Sequence, residues 1–244
     1  MTKYPILTII TVTKNCSATI LRTLESISEV KTNDIEYIVV DGISEDGTLE
    51  KLDKHMSIID LLISESDDGI YDAMNKGVSL ASGEYILFLN GDDHIFCENF
   101  NLIIQSLKQR IADIYCSQTL ACDANGQSIV LAANKWLLPF YNSIPHPSAF
   151  VSKRLLTLYP FRRDLKIASD YDLFLKLLIA RRKFKTINLI SAIHNRGGAS
   201  GNVDLSSAEV RMIRKEQLAH YFYLFETLHC LYSGFKFLMR CRRK

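Results

Sequence analysis

The carboxylates of this chain cluster where chemistry on a charged substrate would need them. The turn Asn90-Gly91-Asp92-Asp93 sets two carboxylates side by side on four residue types that all favour tight turns. Asp41 follows one short apolar run, Glu65, Asp67 and Asp68 follow another, and Asp92 with Asp93 follow a third. Acidic loops gathered at one edge repel one another unless a cation lies between them. Hard Mg2+ or Mn2+, held by one or two carboxylates together with phosphate oxygens, meets that need. Taken alone, Asn90-Gly91-Asp92-Asp93 reads equally well as a solvated turn, so its meaning depends on whether the other loops converge on it.

Three further places carry candidate groups. Ala168-Ser169-Asp170-Tyr171-Asp172 opens a helical pattern with two carboxylates two residues apart, and residues so spaced do not face the same way. One of them could take a proton from an attacking hydroxyl; the other reading is ordinary enrichment of Asp in a first helical turn. His146 stands between Pro145 and Pro147, as an acceptor-site or diphosphate contact or as a buried histidine bonded to backbone. His194 leads into Asn195-Arg196-Gly197-Gly198-Ala199-Ser200. Glycines there would let a loop close over phosphate and Arg196 would grip it with a bidentate fork, the alternative being a plain connector.

The elements that must position these groups follow from hydrophobic period. Leu7–Thr13 is apolar and β-branched, as a strand buried on both faces should be. Residues 35–40, 60–64 and 85–89 repeat that signature, and helical spacing occupies 17–30, 48–55 and 69–81 between them. This alternation predicts βαβ units and a mostly parallel sheet covered by helices on both faces. Ligands of such sheets bind beyond the carboxyl ends of the strands, where Asp41, Asp67, Asp92 and Asp93 fall. Beyond residue 99 the pattern loosens: a helix over 99–109, strands over 112–116, 127–131, 149–152 and 184–189, a turn at 123–126 and a helix over 170–180. Within 69–81, Asp72 and Asn75 share a helical face, which either points at the bound ligand or serves the helix itself through its dipole and a local bend.

In combination these segments resemble family 2 glycosyltransferases. Val39-Val40-Asp41-Gly42-Ile43-Ser44-Glu45-Asp46-Gly47-Thr48 resembles that family's uridine-binding loop. The segment from Ser64-Glu65-Ser66-Asp67-Asp68-Gly69 through Lys76-Gly77 is similar to one found in many bacterial polysaccharide transferases, and Asn90-Gly91-Asp92-Asp93 stands at the family's DxD position. The resemblance covers roughly residues 5–95. It implies the GT-A fold, an inverting reaction, a UDP-sugar donor and Mn2+ or Mg2+. By position, Thr11 and Thr13 would border the base, Asp41 would accept from uracil, Asp67 would lie against the nucleotide, and Asp92 and Asp93 would hold ribose and metal. Asn90 replaces the first Asp of DxD, which leaves coordination to one carboxylate. Asp170 takes the position of the catalytic base, with Ser169 where the family has Glu.

Composition sets the remaining expectations. A net charge of +2 over 244 residues gives no case for nucleic-acid binding, and 48% hydrophobic residues suit an ordinary folded domain. Six cysteines without CxxC spacing fit a reducing compartment, and the apolar run 7–12 is too short for a signal peptide, so a cytoplasmic protein is expected. Residues 1–205 read as the GT-A domain and 206–244 as a helical extension. There Phe222, Phe225, Leu228, Leu231, Tyr232, Phe235, Leu238 and Met239 form an apolar face beside the basic tail Arg240-Cys241-Arg242-Arg243-Lys244. Such a helix either lies on the inner face of the cytoplasmic membrane or packs on the core. Lipid-linked acceptors, common in the resembled family, favour the membrane. The expected reaction moves a hexose, glucose or galactose, to a sugar on a polyprenyl-diphosphate carrier during surface-polysaccharide assembly. A nucleotidyltransferase would need a glycine-rich loop after the first strand, and Thr11-Val12-Thr13-Lys14-Asn15 has none. The other alternative is a non-catalytic membrane-associated binding protein with a degenerate transferase fold.

Overall fold

The computed structural model describes residues 4–123, 126–195, 203–224 and 227–228. The chain runs β1 (Leu7–Thr13), α1 (Ile20–Val30), β2 (Ile35–Asp41), α2 (Thr48–Asp53), β3 (Leu61–Ser64), α3 (Ile70–Leu80), β4 (Tyr85–Phe88) and β5 (His94–Ile95). It continues through α4 (Phe100–Lys108), β6 (Ile114–Cys122), β7 (Ser128–Ala132), β8 (Ala149–Ser152), α5 (Lys153–Leu158), α6 (Ser169–Ile179), β9 (Phe184–Asn195) and α7 (Val203–Leu218).

One sheet carries the strands in the order β3-β2-β1-β4-β8-β6-β9-β5, with β7 also paired to β6. The first four strands are parallel, as the alternation of strand and helix patterns requires. Beyond β4 the sheet is mixed: β8 runs antiparallel to both β4 and β6, while β6 and β9 are parallel. All seven residues of β1 are buried, because helices cover both faces of the sheet. Ile10 and Val12 join Ile38, Val40, Ile86 and Phe88 in a core beneath α3, α5 and α6. Leu7 and Ile9 join Tyr37, Val39, Tyr85 and Leu87 in a second core beneath α1, α2 and α4.

Helix α7 begins at Val203, three residues ahead of the expected extension, and buries Ile213 and Leu218 in the core beneath α6. Residues 203–218 therefore pack with the domain. Phe222 is buried and the Arg211 guanidinium lies over its ring at 5.8 Å, whereas Leu224 and Leu228 are exposed. Phe225, Leu231, Tyr232, Phe235, Leu238, Met239 and the basic tail lie outside the described residues. Among the described residues no helix is long and apolar enough to cross a membrane.

Candidate active site

The Asn90-Gly91-Asp92-Asp93 turn follows β4 at its carboxyl end and is pinned on three successive carbonyls. Thr19, the N-cap residue of α1, and Thr23, one turn on, donate to the Gly91 and Asp93 carbonyls at 2.7 Å each. Asn195, at the end of β9, donates through Nδ2 to the Asp92 carbonyl at 2.8 Å. Gly91 sits in a crowded place, since a Cβ there would meet Thr13 Oγ1 at 3.0 Å and the Cys16 side chain at 3.2 Å. The turn's backbone is thus fixed, and what remains variable is where its side chains point.

The two carboxylates point differently. Asp93 is fully buried, and its Oδ1 lies 2.7 Å from His194 Nδ1. Asp92 is half-buried and lines a cleft of about 470 Å³. Burial, and then the neighbouring Asp93 charge, push the Asp92 carboxyl above its ordinary value. The pairing of β5 with β9, His94 opposite Ile193, is what carries His194 to Asp93.

The same cleft gathers His146 and Asp170. Pro145 and Pro147 hold His146 in a short 3-10 turn just before β8, where Nε2 sits 3.3 Å from Asn90 Nδ2. His146 Nδ1 faces Asp170 Oδ2 at 3.9 Å. Asp170, in the first turn of α6, accepts from Asn142 Nδ2 at 3.1 Å and from the Tyr171 amide at 2.7 Å. Burial pushes its carboxyl above the ordinary aspartate range, against the opposing influence of His146, Asn142 and the Tyr171 amide. Asp172 turns the other way. It is 2% exposed, bonded to Gln217 Nε2 at 2.6 Å and ion-paired with Lys176 at 2.5 Å, and it does not line the cleft.

The residues expected around a nucleotide form a second group at the ends of β1, β2 and β3. Asp41 is fully buried; it accepts from the Ser44 amide at 2.9 Å, Ser44 Oγ at 2.5 Å and Ser64 Oγ at 2.8 Å. Its carboxylate therefore shapes the 41–44 loop from within, where Ile43 adopts a left-handed φ of 60° that a β-branched residue rarely takes. Asp67 presses its Oδ2 against Gly42, where any Cβ would collide with it, and takes the Gly69 amide at 2.9 Å. Thr11 is turned into the core, its Oγ1 accepting from Tyr37 Oη at 3.1 Å, while buried Thr13 Oγ1 has no partner among the described residues. None of Thr11, Thr13, Asp41 and Asp67 lines the cleft.

Asp72 and Asn75 share a face of α3, as their spacing requires, and that face packs on the segment near Phe161. The Asn75 amide exchanges two hydrogen bonds of 2.9 Å with the Phe161 backbone. Asp72 accepts from the Asp68 amide and from Arg163 at 3.2 Å each. Burial raises the Asp72 carboxyl, but those bonds and Lys76 outweigh it and hold it below its ordinary value. The cleft side of α3 is instead apolar, formed by Ile70, Tyr71 and Met74. Arg196, the expected phosphate clamp, lies outside the described residues.

A family model described as "Glycosyl transferase family 2" matches residues 8–160. The chain belongs to glycosyl transferase family 2. It is 29% identical over 180 residues to a PGL/p-HBAD biosynthesis glycosyltransferase of Mycobacterium bovis, covering 69% of this chain and 68% of that one. It is 28% identical over 165 residues to a cholesterol galactosyltransferase of Borreliella burgdorferi, covering 64% of this chain and 44% of that one. Among solved structures, S. aureus TarS 1–349 in complex with UDP-GlcNAc aligns with a TM-score of 0.68 at 18% identity, covering 89% of this chain and 72% of that one. The mannosyltransferase PcManGT from Pyrobaculum calidifontis, in complex with GDP-Man and Mn2+, gives 0.60 at 20% identity, covering 89% and 63%. The fold is GT-A and the chain is a glycosyltransferase, which sets aside the nucleotidyltransferase and non-catalytic alternatives.

The glycosyltransferase cleft fits a divalent cation only as a shared site. Among the described residues, no group of three or more His, Cys, Asp or Glu gathers to hold a metal unaided. Asp92 and His194 line one cleft, and Asp93 holds His194 through Nδ1, the arrangement by which a buried carboxylate orients a metal-binding imidazole. Among the described residues, the buried Asp93 Oδ2 and Asn90 Oδ1 meet no hydrogen-bond partner, which leaves them free to accept from a ligand. Oxygen atoms of a diphosphate would complete such a coordination shell.

Proposed function

We propose that this enzyme transfers a hexose, glucose or galactose, from a UDP-sugar to a sugar on a polyprenyl-diphosphate carrier, with inversion, during assembly of a bacterial surface polysaccharide. The observation that carries this reading is the meeting of Asp92, His146, Asp170 and His194 in one cleft. Asp170 is the base: its carboxylate takes the proton of the acceptor hydroxyl as that oxygen attacks the anomeric carbon and the bond to the UDP oxygen breaks. A carboxyl raised by burial is a stronger proton acceptor than an exposed aspartate once ionised.

Asp92 and His194 would hold Mn2+ or Mg2+, with imidazole favouring the softer Mn2+. The cation would supply charge stabilisation to the departing diphosphate. The closed loops around Asp41 and Asp67 suit a nucleoside lying over the ends of β1 to β3, and a uridine is the reading that the UDP-bound TarS structure supports. The relative named a cholesterol galactosyltransferase supports an acceptor with a large apolar part. Val130, Leu131, Leu137 and Tyr141 give the cleft the wall that such a part would need. The apolar and basic residues of 222–244 support work at the cytoplasmic face of the membrane.

The test is release of UDP from a panel of UDP-hexoses, with and without a polyprenyl-diphosphate-linked sugar, in Mn2+ or in EDTA. Acceptor-stimulated, EDTA-sensitive turnover with one UDP-hexose is expected. Turnover that ignores EDTA, or that needs a GDP- or dTDP-sugar, contradicts the reading.

A further inference from the structure

Helix α6, which carries Asp170, starts without a cap of its own. Its N-cap residue is Ala168, which has no side chain able to accept a hydrogen bond. An acceptor from α7 instead holds the segment that leads into the helix. Glu209 Oε1 takes the Lys166 amide at 2.7 Å, and Oε2 takes the Ile167 and Ala168 amides at 2.9 Å each. Three successive backbone N–H groups thus converge on one carboxylate, a nest that a negative charge fits, at the positive end of a helix. Glu209 is 7% exposed, so the contact is inside the protein and little weakened by solvent.

The pinned segment is part of the cleft. Lys166, Ile167 and Ala168 line it, and the Ile167 carbonyl accepts from Tyr71 Oη at 2.5 Å. Ser169 Oγ accepts from the Arg162 amide at 2.7 Å, so the approach to Asp170 is held from α7, from α3 and from its own upstream loop. A second strut ties the same two helices: Gln217 of α7 donates to the Asp172 carbonyl and carboxylate at 2.9 and 2.6 Å. Of these contacts, the Glu209 carboxylate is the one that reaches all three residues immediately preceding the catalytic turn, with Tyr71 adding a bond to Ile167.

We infer that Glu209 is a positioning residue for the transfer reaction, setting the start of α6 and hence the reach of Asp170 from a helix that also lines the cleft through Ser206 and Val210. The inference rests on Asp170 being the base. It makes α7 part of the catalytic apparatus: the end of the chain that leads toward 222–244 also aligns the base.

The test joins kinetics to backbone hydrogen exchange on the full chain, with Glu209→Ala and Glu209→Gln. Glu209→Ala should lower kcat by about a hundredfold, the order seen when a catalytic group is misplaced by about 1 Å, with donor KM held within about twofold. Glu209→Gln keeps the shape and one acceptor oxygen; it should fold as the parent does and fall between, at about a tenfold loss. In both, the amides of Lys166, Ile167 and Ala168 should exchange faster than in the parent. If these amides keep their protection in both variants, the contact is not what holds the segment. If protection is lost while kcat stays within about threefold of the parent, Glu209 is only structural. A donor KM that rises in step with the fall in kcat would mean general collapse of the cleft and overturns the assignment. Asp170→Asn run alongside separates the two claims: full turnover there sinks the base and this role together, whereas the exchange result still reports on the Glu209 contact.

Discussion

The two acidic edges of this sheet are built on opposite principles. At the ends of β2 and β3, Asp41 has three donors, from Ser44 and Ser64, and Asp67 is locked against Gly42 and the Gly69 amide. At the end of β4, Asp93 Oδ2, Asn90 Oδ1 and, nearby, Thr13 Oγ1 are buried without partners among the described residues, and the Asp92 and Asp170 carboxyls are both pushed up by burial. A satisfied network of buried polar groups fixes one geometry; an unsatisfied one raises the energy of the free state until a ligand completes it. The first edge is therefore a mould and the second a site prepared for charge. Sequence alone presents both as similar clusters of Asp, Ser and Gly.

Substitutions should separate these roles, and the largest effect is expected at the unsatisfied edge. Asp92→Ala should lower kcat/KM by roughly a thousandfold, since several kcal/mol of charge stabilisation leaves with the cation. Calorimetry of UDP binding should lose its dependence on Mn2+; retention of that dependence would move the metal elsewhere. His194→Ala removes the imidazole partner of the buried Asp93 carboxylate, at about 2 kcal/mol of folding stability. Denaturant unfolding reads this, and an unchanged midpoint would show that Asp93 has another partner. Asp41→Asn should act mainly on the mould: about 2 kcal/mol of stability lost and a higher donor KM, with kcat at saturation close to the parent. A fall in its kcat as large as that of Asp92→Ala would erase the distinction between the edges.

The mould was the more legible half in the sequence. Leu7–Thr13 and the runs at 35–40 and 85–89 are continuous and apolar, so strands, their parallel order and the loops at their ends follow from period alone. The cleft depends on features with almost no local signature. Strand β5 is two residues long, and β9 extends to Asn195, six residues past the expected end at 189, through the polar Ser191, His194 and Asn195. Without that pairing nothing brings His194 to Asp93. Helix α5, Lys153–Leu158, is too short for its period to register. Asp72 and Asn75 show the reverse case: their spacing put them on one face, but only tertiary contacts could say that this face meets Phe161 and Arg163. Glu209 sits 41 residues beyond Ala168, with no motif to connect them.

Asp170 bears most directly on the account, because the whole cleft is read around it. Its carboxyl must be ionised to act, and burial raises its pKa, so kcat should fall on the acid side at a pH above the ordinary aspartate range. A raised folded-state value also means that ionised Asp170 opposes folding as pH rises past it, so Asp170→Asn should be more thermostable than the parent at neutral pH and not at acid pH. The deciding measurement is kcat of Asp170→Asn at saturating UDP-sugar and acceptor, with UDP affinity determined on the same preparation. A loss of about a hundred- to ten-thousandfold in kcat is expected, with UDP affinity intact. A variant that binds UDP normally and turns over at most of the parent rate would contradict the role of Asp170 as base.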